Sequence, residues 1–169
     1  MCVKITEPEA QQSMKTISLS QLQKELATLE KKQVLEICMK LAKHKKENKE
    51  LLSYLLFGSA DEKQYLEESK EKLDDLFLTV SRKTTYTTKK GLQKVVRHLN
   101  KFIKTSKNKQ TEVELRIYFC SKIRAARINL DSSGIISNLY YREKDKINLA
   151  LSKLHEDVQF DYRGEVEKI

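Results

Sequence analysis

Glycine and proline are scarce in this chain, with four and one in 169 residues. Turn-rich β architectures use both freely, so the shortage argues against them and favours long helices joined by short loops. The cysteines are also few. Cys2, Cys38 and Cys120 form an odd, widely spaced set that is neither a disulfide framework nor a zinc pattern. Cys38 and Cys120 lie in apolar helical runs, where a free cysteine behaves as a small hydrophobe, and such usage suits a reducing compartment. There is no glycine-rich phosphate loop, no paired-histidine metal helix and no cysteine-pair site, so no cofactor and no metal are expected. Residues 1–10 lack the apolar stretch of a secretory leader. The longest near-continuous apolar run, 51–57, is interrupted by Ser53 and falls far short of a membrane span. The expectation is a cytoplasmic protein with no membrane partner.

What is present is helix-forming: leucine, lysine, glutamate and glutamine dominate. A chain this long can build one domain with a sizeable core. Residues 1–17 read as a weakly structured arm, 18–156 as a single helical domain, and 157–169 as a tail, either a short extended segment or a disordered end. Ser18 with Gln21, or Ser20 with Gln23, fits a capping box ahead of Leu19, Leu22, Leu26 and Leu29 at helical spacing. Lys31 and Lys32 mark a turn before a second helix on Val34, Leu35, Ile37, Cys38 and Leu41. A third helix, 50–57, ends at Gly58, a candidate for the left-handed conformation. Ser59 with Glu62 opens a fourth helix, which runs to about residue 80. The threonine-rich stretch 81–88 reads as a loop with Thr87 or Thr88 as cap of a fifth helix, 89–105. A sixth, 111–130, is apolar on most of its circumference and should be central. A seventh carries Ile135, Ile136, Leu139 and Tyr140, then Ile147, Ala150, Leu151 and Leu154, with a break near 143–146 and His155 at its end. The predicted fold is therefore all-α, a bundle of helical hairpins. A short helical-repeat stack is the alternative, weakened by the lack of a recurring pattern.

Residues 18–56 (SLSQLQKELATLEKKQVLEICMKLAKHKKENKELLSYLL) resemble the opening hairpin of small bacterial helical proteins of unknown function. Those begin with a leucine-rich helix, a short charged turn and a second helix ending near an aromatic–leucine pair. The resemblance implies a helical hairpin here and carries over no catalytic residue.

Charge is the most informative property. Residues 82–127 hold 14 Lys and Arg against Glu112 and Glu114, whereas the rest of the chain is slightly acidic. The fifth helix places Lys90, Lys94, Arg97, Lys101 and Lys104 at offsets of 0, 4, 7, 11 and 14, one stripe down one face. Its opposite face is Leu92, Val95, Val96, Leu99 and Ile103. Five cations neutralising phosphates would give a salt slope of roughly −4 to −5. Arg116, Arg124 and Arg127 could widen the patch, as could Lys107 and Lys109. A competing expectation is internal neutralisation, with the acidic row Glu67, Glu71, Asp74 and Asp75 of the fourth helix packed beside the stripe. Aromatics for base stacking are thin: Tyr86 is near the stripe, while Phe102 and Tyr118 read as core. Tyr140 and Tyr141 cannot both face one core, so one packs and the other projects. Tyr141 with Arg142 is thus a second candidate interface. The expected function is a non-enzymatic binding or interaction module using a basic face on residues 89–127. Candidate partners are an acidic protein surface, a nucleic acid, or a second copy of the chain. Asp74–Asp75, His155–Asp157 and the thiols of Cys38 and Cys120 are the weak catalytic or metal candidates, none with a supporting motif.

Overall fold

Short polar caps decide where most of the helices start. The computed structural model describes residues 17–169, and the fold is all-α, with eight α-helices among the described residues. The arm, Ile17 apart, lies outside them. The chain divides into two compact units, Met1–Asn48 and Lys49–Ile169.

In the first unit, the hydroxyl of Ser18 accepts from the Gln21 N–H and the Gln21 side chain accepts from the Ser18 N–H, starting α1 (Leu19–Thr28). Helix α2 (Lys31–His44) starts at Glu30, whose N–H donates to the Gln33 side chain. Lys31 and Lys32 thus open a helix instead of forming the turn, because Gln33 stands at the capping position. Neither helix buries a residue.

The second unit takes in most of α3 (Lys46–Leu56). Gly58 is not left-handed; it begins a single 3-10 turn, Gly58–Ala60. Asp61, not Ser59, caps α4 (Glu62–Leu78), accepting from the Gln64 N–H at 2.9 Å. Helix α5 (Thr85–Ser106) starts earlier than expected. Thr84 accepts from the Thr87 N–H, and the Thr87 hydroxyl accepts from the Thr84 N–H. The threonines read as a loop are therefore a reciprocal cap and the first turn of the helix. Lys107, in the left-handed region at φ 57°, ends α5, and Asn108 caps α6 (Lys109–Ala125). After a 3-10 turn at Leu130–Ser132, Ser133 caps α7 (Gly134–Leu151), which runs unbroken through residues 143–146. The expected break is absent because Glu143 turns inward and is paired there. The tail is also helical: α8 (Glu156–Glu167) starts at His155, whose Nδ1 accepts from the Asp157 N–H. His155 is therefore an N-cap, not the end of α7.

Helix α6 is the centre of this unit, and α4, α5 and α7 all pack against it. Val113, Leu115, Phe119, Cys120 and Ile123 of α6 are wholly buried with Leu73 of α4, Leu92 and Leu99 of α5 and Ile147 of α7. Each of these side chains other than Cys120 contributes roughly 1.5–3 kcal/mol by leaving water. From α8, Tyr162 and Val166 pack on the same core, as does Ile169 beyond it. Close approach of α5 to the chain leaving α4 depends on Gly91. A Cβ there would lie 2.9 Å from Val80 Cγ1 and 3.2 Å from Val80 Cα.

One carboxylate ties four segments together. Glu62, in the first turn of α4, accepts hydroxyls from Ser106 at the end of α5, from Thr111 of α6 at 2.5 Å and from Tyr54 of α3 at 2.8 Å. Burial alone would raise its pKa, but the three hydroxyl donors together hold it below the usual value.

Candidate anion-binding groove

The basic stripe is real as geometry, but its members have different fates. Lys90, Lys94, Arg97 and Lys104 of α5 are exposed, and the apolar face opposite them is in the core. None of these four forms an ion pair among the described residues. Lys101 is paired with Glu50 of α3. The acidic row of α4 does not neutralise the stripe. Its Asp74 faces α6 instead, taking Lys122 at 2.7 Å and the Tyr118 hydroxyl at 2.7 Å.

Three further arginines were candidates. Arg116 does not belong to the patch: it is buried, because α6 is enclosed on nearly every side. Its guanidinium is bound by Glu143 of α7 and by Glu112 at 2.9 and 3.1 Å, with Asn100 of α5 at 3.4 Å. No outside anion can reach it. Arg124 is exposed and its Nε donates to the Tyr140 hydroxyl at 3.0 Å. Arg127 is exposed in a left-handed conformation at φ 50°, past the end of α6.

The second candidate interface separates into two. Tyr140 packs into the core and Tyr141 projects, their rings edge-on at 5.5 Å. Arg142 instead lines a groove of about 550 Å³ between α5 and α7. The two helices touch only sparingly, each being held chiefly by its other neighbours, which leaves the groove open. Lys90, Gln93 and Arg97 line it from α5, and Asn138 and Arg142 from α7, over an apolar floor that includes Val96 and Leu139. Among the described residues, no carboxylate lines it. Two candidate sites about 45 positions apart in sequence therefore share one cleft. Gln93 and Asn138 escaped the sequence reading, because uncharged amides on a helix carry no signal of their own.

Tyr86 stands at the head of the stripe, one turn before Lys90, and is 63% exposed. Lys89 and Lys90 place their ammonium groups 5.4 and 5.7 Å from its ring centroid. Phe102 and Tyr118 are partly buried against the core, as their spacing suggested.

The weak chemical candidates gain nothing. Cys120 is wholly buried, and burial, with Glu143 adding to it, pushes its thiol up to about 12. A thiol so protonated is a poor nucleophile. Among the described residues, no group of His, Cys, Asp and Glu could hold a metal ion, and no helix is long and apolar enough to cross a membrane.

No family model matches the chain, and no curated protein or solved structure matches it significantly.

Proposed function

We propose that this chain is a binding module, not an enzyme, and that it holds an anionic partner in the groove between α5 and α7. One observation carries the reading: Lys90, Arg97 and Arg142 converge on a cleft that no carboxylate among the described residues lines. Like charges brought together repel one another, and no acid among the described residues pairs with these three to offset that cost. An anion in the cleft would offset it, and the field of the cluster would steer such a partner in. Lys94, on the same stripe, extends the positive surface beyond the cleft. Arg116, used up inside the fold, has no part in it. Lys101 already has Glu50, so an anion there would compete with a resident carboxylate.

The test is titration of the full chain with labelled inorganic polyphosphate across a salt series. Binding should weaken steeply with salt. Arg97→Glu with Arg142→Glu should weaken it by about tenfold or more, equivalent to about 1.4 kcal/mol. Lys153→Glu, on an exposed position after α7, should change it little. Failure to bind the polyanion even at low salt would sink the reading.

A further inference from the structure

We infer that the groove's partner is a single-stranded nucleic acid, with phosphates on Lys90, Lys94, Arg97 and Arg142 and one base stacked on Tyr86. This rests on the anion-binding reading above.

Charge alone would suit an acidic peptide equally well, so the inference stands on what accompanies the charge. Tyr86 is a large ring left in the open at the head of the cationic row, on the same helical face. Its hydroxyl makes no hydrogen bond among the described residues, and its only ring contacts there are with Lys89 and Lys90. An exposed ring flanked by ammonium groups matches the stacking platform of single-strand binding sites, where a base lies on the ring while its phosphate meets the cations. The cleft adds two carboxamides, Gln93 and Asn138. Each offers both donor and acceptor atoms, which can pair with base edges, whereas a carboxylate could use the donors alone. The floor of Val96, Ile135 and Leu139 suits the apolar faces of sugar and base. From Tyr86 to Arg97 is about 16 Å along the helix. That is about five stacked nucleotides at ~3.4 Å each.

Strandedness follows from the stacking. The faces of a paired base are covered by its neighbours in the duplex, so Tyr86 can reach only an unpaired base. A duplex would contact the cations alone and be indifferent to the tyrosine.

The experiment compares a short mixed-sequence single-stranded RNA and DNA, the matching duplexes, polyphosphate and polyglutamate, using nuclease-treated full-length protein. The single strands should bind most tightly, with a salt slope of about −3 for four phosphate contacts. Tyr86→Ala should weaken single-strand binding by roughly 5- to 150-fold. It should leave polyphosphate binding unchanged, and Tyr86→Phe should retain single-strand affinity. Because Tyr86 is on the surface, its variants should keep the wild-type circular dichroism spectrum. Polyphosphate binding with no loss for Tyr86→Ala on single strands, or with equal affinity for duplex, overturns this inference while the anion-binding reading survives. Preference for polyglutamate over the single strands also overturns it and makes the partner an acidic protein. Failure of polyphosphate to bind even at low salt overturns both.

Discussion

Replacing Arg116 by methionine should destabilise the protein more than replacing the carboxylate that it pairs with. Glu143 is wholly buried, with the Arg116 guanidinium on one oxygen and Lys146 on the other at 2.7 Å. Removing Arg116 leaves a buried carboxylate with a single partner, whose own side chain is 34% exposed. Breaking a buried pair from one side costs about 3–5 kcal/mol, and the surviving Lys146 places this case near 3. A loss of that size lowers the melting temperature by about 6–12 °C in a chain of this length. Glu143→Leu is milder. Arg116 would keep both bonds to Glu112 and its contact with Asn100, so the expected cost is about 2 kcal/mol. The double variant, Arg116→Met with Glu143→Leu, should fall well short of the sum, with a coupling of about 2–3 kcal/mol. Urea denaturation followed by far-ultraviolet circular dichroism measures all four proteins. A loss below about 1 kcal/mol for Arg116→Met, together with additive singles, would refute the reasoning.

Two further outcomes follow from the packing and from the carboxylates. Gly91→Ala and Gly164→Ala should differ in sign. In α5 the new methyl meets Val80, and overpacking at about 1–3 kcal/mol outweighs a helix-propensity gain of about 1. In α8 nothing lies within 4 Å of the new Cβ, and alanine should stabilise by about 0.5–1 kcal/mol, as thermal melts would show. The second outcome concerns acid. Burial opposes ionisation of Glu62, Asp74 and Glu112, yet their hydrogen-bond donors win and all three pKa values are lowered by folding. Their contribution to stability is therefore present in full above the ordinary carboxylate range and lost as pH falls through the depressed values. Melting temperature should be flat near neutrality and fall below about pH 4.5; a chain more stable at pH 3 than at pH 7 would contradict this.

The helices were legible wherever burial follows a simple period. The all-round apolar run of α6 announced a central helix, and the single apolar face of α5 placed Leu92, Val95 and Leu99 correctly. Errors arose where one residue outweighed the pattern. In the tail, Val158, Phe160 and Tyr162 alternate and Gly164 follows, which predicts a short extended segment or a disordered end. In the structure Phe160 is exposed, and Val158, Tyr162 and Val166 recur every fourth residue along α8. The helical period emerges only with Val166, beyond the glycine. Glu143 looked like part of a polar break because a charge buried by a partner 27 positions away leaves no local trace. The same limit governed the candidate site. The stripe on α5 could be read from offsets alone. Its meeting with Arg142 depends on how α5 and α7 lie across α6, which no spacing records. Which basic residue α4 would engage was equally hidden, and Asp74 chose Lys122 over any member of the stripe.

The central position of α6 has a consequence for how residues 49–169 fold. Helices α4 and α5 pack directly on each other, but the core that they share with α7 is completed by Val113, Leu115, Phe119, Cys120 and Ile123 of α6. A core built round one shared helix cannot be assembled in halves. The groove between α5 and α7 exists only once α6 has drawn both helices to itself. The cleft should therefore form in the same cooperative step as the core, and amide protection along α5 and α7 should rise together with that of α6.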